Sequence, residues 1–185
     1  MMLNLKWEGP FYFQNIRADK SVFESPISQQ KGIYLWAVKK DEHYLINYVG
    51  ITSKSFNERF MKHIEDMYCG KSIIYDFELL QKGNKKPIYI PTGSVLDFAK
   101  IHKEIAPIIN DYLNLFSLFL LPIKSSKNVL ERIESAIIIN LKNNSNVSSF
   151  LDNYKPSRLK LITDEQIEIC FTNELFFGLG TSLVA

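Results

Sequence analysis

Cysteine is scarce in this chain: two in 185 residues, Cys69 and Cys170, far apart and without a metal-ligating spacing. Two isolated thiols exclude a disulfide scaffold and suit a reduced, cytoplasmic chain. A surplus of charge is missing as well, since 22 Lys and Arg stand against 20 Asp and Glu, a formal net charge of +2. Bulk electrostatics therefore announce no nucleic-acid binder, and any such contact has to rest on a local basic surface. No apolar run approaches the ~20 residues of a membrane span. The longest, 115–121, is too short, and residues 1–15 mix Lys6, Glu8 and Pro10 into their apolar residues, so no secretory leader is expected. There is no internal repeat, zinc-finger spacing or helix-turn-helix pattern. What the chain does have is a hydrophobic content of 46%, enough to build a core for one domain, or one domain with an elaboration.

The most informative stretch is 32–63. In 32–39, Ile33, Leu35 and Ala37 alternate with Tyr34, Trp36 and Val38, the period of a strand, and 43–49 repeats it with Tyr44, Ile46 and Tyr48 on one side. The polar link Lys39-Lys40-Asp41-Glu42 predicts a β-hairpin. With Val38 opposite Tyr44, Tyr34 falls opposite Tyr48, making two phenols cross-strand neighbours. Ser55 and Glu58 then have capping-box spacing. In the helix they open, Phe56, Phe60, Ile64 and Met67 form the buried stripe, with Arg59 and His63 on its shoulder.

Around this stretch the signals are coarser. Residues 3–16 read as one or two short strands or an apolar arm, and 17–31 as a loop or short helix. Residues 73–80 are ambiguous between strand and helix, 88–90 read as a short strand, and 94–102 has helical spacing that places His102 on a helix surface or in the core. Pro107 starts or kinks a second helical stretch. The basic turn around Lys82, Lys85 and Lys86 reads equally as a solvated turn or as phosphate contacts. Residues 115–121 are apolar throughout and end at Pro122, as a central strand covered on both faces would.

In the following helix Asn128 is the expected N-cap, and Leu130, Ile133, Ile137 and Leu141 define the buried side. Glu134 lies about 40° from Leu130 on that wheel, inside the apolar sector. A carboxylate there is desolvated unless a cation or donors compensate. A bound metal, Arg59 or a tyrosine would each serve. Residues 159–163 and 166–171 read as two short strands, possible partners across Asp164-Glu165. The apolar Leu175-Phe176-Phe177 suits either a cover over the core or a homodimer contact.

Several of these residues stand in a familiar order: Gly32-Ile33-Tyr34, Tyr48-Val49-Gly50 with Thr52, Arg59 paired with His63 four residues on, Glu134 in a Glu-x-x-Ile-Ile pattern, and Asn146. The set resembles the GIY-YIG nuclease family, with the Arg-x-x-x-His pair similar to some of its restriction endonucleases. The chain departs from the family pattern in a long hairpin link, in Ile51 where some members have lysine, and in a large insertion after His63. The resemblance implies an α/β fold of the α+β kind: a small, mostly antiparallel three-stranded sheet flanked by helices in a single domain. Its core would be 32–63 and 115–146, with insertion 64–114, C-terminal extension 147–185 and an N-terminal elaboration.

It also implies hydrolysis of DNA phosphodiesters, in restriction, defence or repair. Glu134 would be the sole protein ligand of Mg²⁺ or Mn²⁺, and Arg59 would bind the scissile phosphate. Tyr34 would accept a proton from water, Tyr48 would orient phosphate or water, and His63 would assist proton transfer or touch phosphate. Lys82, Lys85, Lys86 and Asn146 are the candidate DNA contacts. The competing expectation is a module that keeps the fold, has lost catalysis and recognises nucleic acid or a protein partner.

Overall fold

Residues 32–52 form the hairpin on which the rest of the chain is assembled: β3 (Gly32–Lys40) and β4 (His43–Thr52) pair antiparallel. Its turn is tighter than the polar link suggested, just Asp41-Glu42, with Asp41 in the left-handed region at φ 54°, a conformation that an aspartate tolerates. Asn47 is an extra residue on β4, bulged between the pairs Trp36↔Tyr48 and Ala37↔Ile46. Tight turn and bulge together reset the register. Tyr34 lies opposite Gly50 and Tyr48 opposite Trp36, which corrects the expected Tyr34–Tyr48 pair. The two phenols are diagonal neighbours, their ring centroids 6.1 Å apart.

The computed structural model describes residues 2–13, 21–152, 166–172 and 175–185. Strand β7 (Ser117–Pro122) pairs antiparallel with β3 and is central and buried, as its apolar run requires. The sheet has four strands rather than three, because β2 (Glu8–Phe11) adds to the free edge of β7, giving the order β2-β7-β3-β4. Gly32 lets β7 approach: a side chain there would strike the Leu121 carbonyl. A second sheet joins distant segments, with β8 (Glu168–Phe171) between β1 (Met2–Leu5), parallel to it, and β9 (Ser182–Val184), antiparallel. The predicted strand over 166–171 is thus present with partners from both chain ends; 159–163 lies outside the described residues.

Helix α1 (Phe56–Tyr68) starts as its capping box predicts, with Ser55 Oγ accepting from the Glu58 amide at 3.1 Å. Phe56 and Phe60 are fully buried and pack edge-on against Tyr34, which fixes α1 over the Tyr34 face of the sheet. Burial of each ring is worth roughly 2–3 kcal/mol. The opposite face carries Phe119, which pairs with Leu35 and packs on Phe176; Phe176 in turn meets Trp7.

The insertion contains a two-stranded ribbon, β5 (Ile74–Tyr75) with β6 (Pro87–Tyr89), the short helix α2 (Phe77–Gln81) and the long helix α3 (Val95–Leu115). Pro107 neither starts nor ends a helix, because α3 runs through it. The carbonyl four residues earlier belongs to Lys103, which is exposed to water, while Ile105, Ile109, Tyr112 and Leu113 hold the helix to the core. Helix α4 (Lys127–Asn143) is capped by Ser126 rather than Asn128. Leu130, Ile133, Ile137 and Leu141 are all buried, and the helix packs against β3, β4 and β9. Among the described residues no helix is long and apolar enough to cross a membrane.

Candidate active site

Four of the five residues nominated for chemistry meet on one face of the hairpin. Tyr34 is 0% exposed, the third residue of β3, under Phe56 and Phe60. Gly50 opposite it supplies the space, since a Cβ at residue 50 would overlap the phenol's ring carbon and oxygen. One helical turn separates Arg59 from His63, so both side chains descend from α1 onto the same hydroxyl. Arg59 Nε donates to Tyr34 Oη at 3.0 Å, and Tyr34 Oη lies 2.8 Å from His63 Nε2. Tyr48 closes the group, its ring 6.1 Å from that of Tyr34 and edge-on to His63 at 5.6 Å.

The surroundings set the protonation of these groups. Burial, with Tyr48 adding to it, pushes the Tyr34 phenol well above its ordinary value and outweighs the lowering effect of Arg59. Tyr34 is therefore a neutral phenol at neutral pH. Burial and then the charge of Arg59 push the His63 imidazole down to about 4, against a small opposing effect of Asp66. A neutral imidazole offers one lone pair. In the tautomer that leaves Nε2 unprotonated, His63 accepts the Tyr34 proton, while Arg59 donates into the phenol oxygen and polarises its O–H. Guanidinium, phenol and imidazole thus form one hydrogen-bonded chain centred on the Tyr34 hydroxyl.

Comparison with protein-family models, with curated proteins and with solved structures finds no match.

Glu134 stands on α4, the helix packed against β3 and β4, and is 8% exposed, as its place in the apolar sector predicts. Among the described residues no three His, Cys, Asp or Glu side chains gather as a metal-binding group. A cation held by Glu134 would complete its shell with water and substrate oxygens. That donor set suits magnesium, which retains water, and does not suit zinc, which requires three or four protein ligands.

The candidate DNA contacts lie elsewhere. Lys40 is six residues along β3 from Tyr34, roughly 20 Å at strand rise. It lines a cavity of about 280 Å³ at the hairpin tip together with His43, Lys82, Asn146 and Phe177. Lys82 and Asn146 thus come together, and Lys40 and His43, for which no sequence signal stood out, join them. Lys86 is exposed on the approach to β6. Lys85 is already engaged: its Nζ donates to the Leu151 carbonyl at 2.9 Å, pairs with Asp152 at 3.4 Å and sits over the Tyr75 ring.

Sequence reasoning also missed Asn47 and Asp152, beside the cluster. A polar residue breaking the alternation Leu45-Ile46-Asn47-Tyr48-Val49 is the available signal, since a bulge is what accommodates it.

Proposed function

We propose that this chain is a metal-dependent endonuclease that hydrolyses phosphodiester bonds in DNA by a GIY-YIG-type mechanism. The observation that carries the reading is the shared hydroxyl of Tyr34, held at 3.0 Å by Arg59 and at 2.8 Å by His63, with Tyr48 beside them. Packing alone does not require a buried phenol to meet a cation and a neutral base at one oxygen. In this reading Arg59, whose Nε is committed to Tyr34, presents the remainder of its guanidinium to a phosphate and neutralises charge as it develops. Tyr34 takes a proton from the attacking water while passing its own to His63, so no free phenolate forms. Tyr48, half-buried at the surface of the group, orients the phosphate. Glu134 would hold Mg²⁺ or Mn²⁺, which when bound lowers the pKa of water and screens the leaving oxygen. The hairpin-tip lysines, Lys40 and Lys82, supply a second backbone contact, and two free cysteines fit a reducing cytoplasm.

The test is incubation of the purified protein with supercoiled plasmid, with and without Mg²⁺ or Mn²⁺, beside Glu134→Ala. Metal-dependent nicking that Glu134→Ala removes is the expected result. One observation favours the second reading, a binding module without catalysis: the Tyr34 hydroxyl is wholly buried and its hydrogen bonds are internal. Retention of DNA with no cutting of any DNA or RNA under either metal would select that reading.

A further inference from the structure

A cavity of about 230 Å³ opens beside Tyr48 and His63, between the hairpin, α1 and the insertion. Its walls are made in two ways. Trp36 and Tyr112 provide buried aromatic surface, while Asn47, Ser72 and Asp152 provide polar atoms. The bulge is responsible for part of this, since it turns Asn47 and Tyr48 together toward the Trp36 face.

The polar groups are held in place rather than loose. Asn47 Nδ2 donates to the Phe150 carbonyl at 2.9 Å, which fixes the amide orientation and leaves its oxygen as an acceptor. The Asn47 carbonyl receives the Asp152 amide at 2.6 Å. Asp152 Oδ1 accepts from Tyr75 Oη at 2.5 Å and from Lys85 at 3.4 Å, whereas Oδ2 takes no hydrogen bond among the described residues. Two residues that each retain an acceptor oxygen therefore line a space bounded by aromatic rings. The chemistry that satisfies both is a flat heteroaromatic ring bearing N–H donors.

We propose that this cavity is a subsite for one nucleobase carrying an exocyclic amino group, adenine, cytosine or guanine, unstacked from the strand next to the phosphate that Arg59 binds. The assignment rests on the nuclease reading for its substrate class. Aromatic walls take the base face, and the carboxylate and amide oxygens accept its amino protons. Thymine and uracil present one N–H between two carbonyls, and those carbonyls would meet the acceptors of Asp152 and Asn47.

The experiment measures binding apart from cleavage. Single-stranded pentamers with a central A, C, G, T or abasic site are titrated, without metal, into Trp7→Phe protein, in which Trp36 is the one remaining tryptophan emitter. The A, C or G pentamer is expected to bind at least about tenfold more tightly than the T and abasic pentamers, with quenching of Trp36. Ser72→Trp, which fills the rim and is read by the anisotropy of dye-labelled pentamers rather than by tryptophan emission, should erase that preference while sparing the fold, and Asp152→Asn should lower it. Equal affinity for all five pentamers, or a preference that survives Ser72→Trp, overturns the subsite. Base preference in a protein that never cuts DNA would leave the subsite standing and remove the nuclease reading; cutting without base preference would do the reverse.

Discussion

The two ends of one hairpin are built by opposite means. At the Tyr34 end, polar groups are sunk under Phe56 and Phe60 and spend their hydrogen bonds on each other. At the Asp41-Glu42 end, Lys40, His43 and Lys82 surround an open cavity, and neither lysine makes an ion pair among the described residues. The strands are the same, so the difference comes from what α1 covers. Covered groups have fixed protonation and fixed geometry, as chemistry requires; uncovered lysines keep charge and mobility, which suit contact with a phosphate backbone.

Variants that attack each end should separate these roles. The largest effect is expected from Arg59→Ala, which removes both the proposed phosphate cation and the donor to Tyr34. Plasmid nicking should fall by about a hundredfold or more with the circular dichroism spectrum unchanged, and wild-type nicking would exclude Arg59 from the chemistry. Tyr34→Phe should match it in activity and also cost about 1–3 kcal/mol of stability, because a donor and an acceptor beneath the helix lose their partner.

Gly50→Ala tests whether geometry alone matters. The added methyl overlaps the Tyr34 phenol, and overpacking of this kind costs about 1–3 kcal/mol, measurable by urea denaturation. A variant as stable as the wild type would show that Tyr34 can move aside at no cost.

His63 gives the covered end a pH signature. Its folded-state value, about 4, is below its ordinary 6.5, so the unfolded chain binds the proton that the folded chain refuses. The contribution of His63 is fully present above pH 6.5 and is lost as pH falls from there toward 4, by up to about 3 kcal/mol. His63→Gln should flatten this part of the stability profile, and an unchanged slope in urea titrations would reject the assignment. The smallest effects belong to the open end. Lys40→Ala and Lys82→Ala should each weaken DNA binding a few-fold and lower the salt slope by about 1, with nicking chemistry intact.

Much of the covered end was legible in the sequence. Ser55 and Glu58 announced α1, the Phe56–Phe60 spacing announced which way it faces, and the wheel position of Glu134 announced its burial. Register was not legible. Alternation places residues on faces but cannot count an extra residue such as Asn47, so a Tyr34–Tyr48 pair was expected where Tyr34–Gly50 forms. Once that register is known, Gly50 is explained by the ring lying across it. Long-range pairing was equally hidden: Met2–Leu5 beside Glu168–Phe171 depends on contacts that no local pattern encodes. The cap of α4 was misplaced by two residues because Ser126 and Asn128 are both good N-caps, and Pro107 starts no new helix because it lies inside α3, which tertiary packing holds together on both sides of it.

The placement of β2 on the edge of β7 has a bearing on handling the protein. Ser117–Pro122 is apolar and buried, and among the described residues its outer row of backbone groups is covered by Glu8–Phe11. Trimming the first dozen residues would uncover a bare, sticky template for strands of other copies, so shortened versions should precipitate.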